Sequence, residues 1–82
     1  MKKEYKMTKY QKLQMEYHNQ GLDITYSRYY GAYLITPTNK RKCLENKGTS
    51  TLFTFLKVYD KDDAYDLPYI LEMIKADHPE WL

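Results

Sequence analysis

Between Thr49 and Tyr59 the side chains alternate with the period of an extended strand, yet both sets are apolar. Phe53, Phe55 and Tyr59 fall on one face, and Leu52, Leu56 and Val58 on the other. Such a strand cannot lie on a sheet with one side in water. The chain must cover both faces by dividing its helices between them, by pairing with a second copy, or by pressing against another macromolecule. With 82 residues the core is small, and one domain spanning 1–82 is expected. A 43% hydrophobic and 16% aromatic composition excludes intrinsic disorder.

The remaining elements follow from local signals. Thr8-Lys9-Tyr10-Gln11 reads as a capping box and Gly21 as a left-handed stop, which predicts a helix over about 9–19. Met7, Tyr10, Leu13 and Tyr17 form its buried stripe, and Met15 lies off it. Leu22, Ile24 and Tyr26 alternate with Asp23, Thr25 and Ser27, giving a first strand. Tyr29 to Thr36 is rich in aromatic and branched residues and stops at Pro37, giving a second, with Gly31 as a bulge or close approach. A hairpin at Ser27-Arg28 is favoured over one bent strand.

Thr38 to Lys47 is a polar, basic loop, and Asp60-Lys61-Asp62-Asp63 is a turn. Asp66 caps a second helix with Pro68 in its first turn. Its apolar face is Leu67, Ile70, Leu71 and Ile74, and it ends near Ala76 before His78-Pro79. The expected fold is α+β in the order α-β-β-loop-β-α, a three-stranded antiparallel sheet covered by two helices.

The net charge of +2 hides an asymmetry, because residues 1–48 carry ten Lys/Arg against four acids and residues 49–82 carry three Lys against seven. Seven of the ten tyrosines lie in the first 33 residues. Tyrosine combines a large contact area with only two torsions and a polar tip, so it is common at binding surfaces. Lys, Tyr, Asn and Ile also have AT-rich codons, so a low-GC bacterial or phage genome raises all of them together.

Catalytic and metal chemistry finds little support. His18, Cys43 and His78 are too dispersed for the spacing of a structural zinc site. The Asp60, Asp62, Asp63, Asp66 run fails as a calcium loop, with Tyr65 in place of the required glycine and Leu71 in place of the bidentate glutamate. No cofactor is expected, and neither is an enzyme. One cysteine excludes an internal disulfide framework and fits a reducing cytoplasm. No apolar run reaches membrane-spanning length, and Lys2, Lys3 and Lys6 lead into polar residues rather than a leader's apolar stretch, so no membrane association is expected.

Two short likenesses remain. Gly31-Ala32-Tyr33-Leu34-Ile35-Thr36 resembles the opening strand of a GIY-YIG nuclease domain over six residues, but the second Tyr-x-Gly element and the family's arginine are missing. Phe53-Thr54-Phe55-Leu56-Lys57-Val58 resembles the core strand of an RNA-recognition motif, whose alternating aromatics stack on bases, but its Lys-Gly is displaced to Lys47-Gly48 and the chain is one strand short. Neither family is adopted.

The expectation is therefore a small protein-binding module that sterically occupies a larger protein or protein–nucleic acid complex. Arg28, Tyr29, Tyr30 and Tyr33 would anchor it, and Lys40, Arg41, Lys42 and Lys47 would steer it to an acidic patch. By analogy of type, small proteins of this kind include phage and mobile-element inhibitors of bacterial defence or nucleic-acid-processing enzymes. The alternatives are a single-stranded nucleic-acid-binding protein, with Tyr29, Tyr30 and Tyr33 stacking on bases, and a homodimeric structural protein.

Overall fold

The computed structural model describes residues 7–39, 42 and 54–82. Helix α1 (Lys9–Asn19) starts where its cap dictates. Thr8 Oγ1 accepts from the Gln11 N–H (3.1 Å), and Gln11 Oε1 accepts from the Thr8 N–H (2.9 Å). Gly21, at φ +78°, turns the chain into strand β1 (Leu22–Ser27). Strands β2 (Ala32–Pro37) and β3 (Leu56–Val58) complete an antiparallel sheet in the order β1-β2-β3. Helices α2 (Lys61–Ala64) and α3 (Leu67–Asp77) follow, and a 3-10 turn at Pro79–Trp81 ends the chain. The α+β fold is as the sequence predicts.

Two local expectations change. The second strand begins at Ala32 rather than Tyr29, because residues 28–31 form a four-residue hairpin loop. The Gly31 N–H donates to the Ser27 carbonyl (2.8 Å), the Tyr30 N–H donates to Ser27 Oγ (3.2 Å), and Gly31 at φ +62° supplies the left-handed residue that closes the loop. Gly31 is a turn residue, not a bulge. The acidic run after β3 is a one-turn helix rather than a bare turn, because Asp60 caps it by accepting from the Asp62 N–H (2.8 Å). Asp66 likewise caps α3, accepting from the Tyr69 N–H (3.3 Å). Only 56–58 of the long third strand is seen as strand, and residues 49–53 lie outside the described residues.

Register settles which side chains share a face. Leu22 opposes Pro37, Ile24 opposes Ile35 and Tyr26 opposes Tyr33, while Tyr33 and Ile35 oppose Val58 and Leu56. These residues form one face, and the core is built on it. Leu13 and Tyr17 of α1, Ala64 of α2, Ile70 and Ile74 of α3, and Trp81 pack against Leu22, Ile24, Ile35 and Val58. Helices α1, α2 and α3 therefore lie on the same side of the sheet. Tyr17 ties α1 to α2 by donating its hydroxyl to the Ala64 carbonyl (2.7 Å). Burial pushes the Tyr17 phenol well above its ordinary pKa, with the nearby carboxylates of Asp66 and Glu16 adding to the effect.

The outer edge of β1 is closed by α1. Tyr10 Oη accepts from the Tyr26 N–H (3.0 Å), and Gln14 Nε2 donates to the Ile24 carbonyl (3.2 Å). Side chains thus satisfy backbone groups that would otherwise recruit another strand.

Candidate docking surface on the helix-free sheet face

The second face of the sheet carries Asp23, Thr25 and Ser27 from β1, Ala32, Leu34 and Thr36 from β2, and Lys57 from β3. Its β1 side is polar, with Thr25 exposed and Asp23 and Ser27 half-buried. Its β2–β3 side is not. Ala32 is fully buried there and Leu34 is half-buried, while Phe55 extends the strand's alternation onto the same face.

The hairpin loop supplies part of the cover. The Tyr30 ring folds back to lie 5.8 Å from that of Phe55, tilted by 56°. Lys57 Nζ sits 4.3 Å above the Tyr30 ring and 5.8 Å from Phe55, a cation held over two electron-rich faces. Tyr29 stands edge-on to Tyr30 at 4.9 Å and is itself 89% exposed. Tyr59, the next residue of the alternation, is 66% exposed. Among the described residues neither Arg28 nor Lys57 has an ion-pair partner. The surface therefore combines aromatic rings in mutual contact with two cations that have no ion-pair partner among the described residues.

The anchors expected from the sequence are only partly brought together. Arg28, Tyr29 and Tyr30 share the loop, but Tyr33 lies on the opposite, helix-covered face. There its ring packs 5.0 Å from Tyr26 and 6.4 Å from Tyr10. Its phenol pKa is raised by burial first, and then by the neighbouring phenols of Tyr65, Tyr10 and Tyr26. Tyr33 thus stands half-buried at the edge of the core, on the face away from Tyr29 and Tyr30. Lys42 is half-buried, its N–H donating to the Asn39 carbonyl (3.0 Å), while Lys40, Arg41 and Lys47 lie outside the described residues. Phe55 and Lys57 were not among the expected anchors, although the strand's alternation places both on one face with Tyr59.

The other sequence candidates fall in separate places. His18 is exposed on α1, His78 stacks on Trp81 at 4.3 Å, and Cys43 lies outside the described residues. Among the described residues no three His, Cys, Asp or Glu side chains gather to hold a metal ion, and no helix is long and apolar enough to cross a membrane. Comparison with protein-family models, curated proteins and solved structures returns no match for this chain.

Proposed function

We propose that this chain is a non-catalytic binding module that docks on a larger protein through the hairpin tip and the helix-free sheet face, acting by occupying the partner's surface. The observation that carries this reading is the Tyr29–Tyr30–Phe55 ring cluster with Lys57 seated over it. Tyr30, Phe55 and Lys57 pack on one another, which lowers the side-chain entropy still to be lost on binding. Tyr and Arg are the residues that dominate such contacts when they enter a partner's pocket. Arg28 and Lys57 favour an acidic surface and steer the encounter.

The test is affinity capture from the native cell, before and after nuclease treatment, with the wild type, the Tyr29→Ala/Tyr30→Ala variant and a Tyr69→Ala control. Tyr69 is 47% exposed but sits on α3. A nuclease-resistant protein retained by the wild type and the control but lost by the hairpin variant supports the proposal. Equal retention by all three overturns it.

A second reading, single-stranded nucleic acid, is favoured by one specific arrangement, the alternation of Phe55 and Lys57 on an open strand face beside tyrosines. It requires oligonucleotide affinity that collapses between about 50 and 200 mM salt. A protein complex steered by two cations loses association rate over that range but keeps most of its affinity.

A further inference from the structure

On the helical side of the molecule an open groove runs between α1 and α2. Its two lobes, of about 260 and 200 Å³, share Lys9 and Tyr65. Lys12, Leu13 and Glu16 complete the larger lobe, and Lys61 and Asp62 the smaller. Three ammonium groups therefore face two carboxylates, and none of the three lysines has an ion-pair partner among the described residues. The first turn of α1 contains no acid and begins with Lys9, so cations stand where the helix favours anions. The floor between them is apolar, formed by Leu13 and the ring of Tyr65, which is 37% exposed. A flat ring can lie on that tyrosine while an anionic tail reaches the lysines, which bind phosphate as mobile point charges.

From this juxtaposition we infer that the groove binds an organic phosphate of mononucleotide size, its aromatic ring against Tyr65 and its phosphates between Lys9, Lys12 and Lys61. Each lobe is smaller than the usual ligand pocket of about 300 to 1,000 Å³, so a mononucleotide must span both. The site is independent of the docking surface, which lies on the opposite face of the sheet.

The experiment is an amide chemical-shift titration of the full chain with ATP, adenosine and inorganic tripolyphosphate as separate probes. The expected result is saturable shifts for ATP centred on residues 9, 12, 61 and 65. Adenosine and tripolyphosphate should each bind at least about tenfold more weakly, the equivalent of about 1.4 kcal/mol. The Lys9→Gln/Lys61→Gln variant should weaken ATP by a similar factor, and Tyr65→Leu should reduce ATP to the level of tripolyphosphate. The two lysines are exposed, so their variant keeps the native spectrum elsewhere and the test stands even if Tyr65→Leu disturbs packing. Three results overturn the inference: shifts that do not saturate, tripolyphosphate binding as tightly as ATP, or shifts mapping to the hairpin instead of the groove.

Discussion

The two faces of the sheet are built from the same strands but finished differently. On one, Leu22, Ile24, Ile35 and Val58 disappear beneath three helices and Trp81. On the other, the described cover is one tyrosine ring folded back from a turn, a phenylalanine and a lysine lying over both. The first arrangement removes apolar area from water and supplies most of the stability available to so small a chain. The second leaves rings exposed in a fixed array, which contributes little to folding and suits recognition. If the proposed docking holds, stability and binding are separated across one layer of backbone, and substitutions on the two sides should have opposite signatures.

The largest expected loss is on the helical side. Trp81→Ala removes a buried indole from the end of the core and should cost about 3 to 5 kcal/mol in denaturant unfolding, while Ile74→Ala should cost about 2 to 5. Tyr17→Phe should cost about 1 to 3 kcal/mol, because it strips the donor from the buried Ala64 carbonyl.

The same tyrosine makes a pH prediction. Its folded pKa is raised above the unfolded value of about 10. Its contribution is therefore fully present below pH 10 and declines as the pH rises above that value, where only the unfolded chain ionises readily. Ultraviolet titration should show one phenol protected until unfolding, and Tyr17→Phe should abolish that late step. If Tyr17 instead titrates with the exposed tyrosines, the account of its burial is wrong.

On the helix-free side the effects shrink. Gly31→Ala forces a side chain into φ +62° and should cost about 1 to 2 kcal/mol, although open space surrounds the site. Phe55→Ala should cost less than about 3 kcal/mol, of which about 0.5 to 1.5 is its ring pair with Tyr30 and the rest its half-buried area. A loss of 3 kcal/mol or more would make Phe55 a core residue and erase the distinction between the faces. Tyr29→Ala should leave stability within about 0.5 kcal/mol of wild type while weakening partner capture more than any other single change.

Much of the helical side is legible in the chain because its determinants are local. The Thr8–Gln11 box, Gly21 and the Asp66 cap with Pro68 each lie within a few residues of the helix end they set. The helix over 61–64 escapes such reading, since a single turn has too few residues to show a period. That α2 and α3 join α1 on one face depends on how the chain leaves β3, which no spacing encodes.

The site is legible in composition but not in geometry. Arg28, Tyr29 and Tyr30 stand out as residue types, yet a continuous strand from Tyr29 would place Tyr29 and Tyr33 on one face. The four-residue loop closed by Gly31 breaks that parity and leaves Tyr29 at the hairpin tip, while Tyr33 keeps the core-side face of Ile35, two residues on in the same strand. Conversely, the alternation of Phe55, Lys57 and Tyr59 already marks them as one face, and their relation to Tyr30 follows only once the loop folds back over the sheet.

Site-specific photo-crosslinking in the native cell separates the two faces, with a benzophenone amino acid placed at position 29 on the hairpin tip or at position 69 on α3. A discrete crosslinked protein is expected from position 29 and none from position 69. Crosslinks from position 69 alone, or equally from both, would contradict the assignment of the helix-free face as the docking surface.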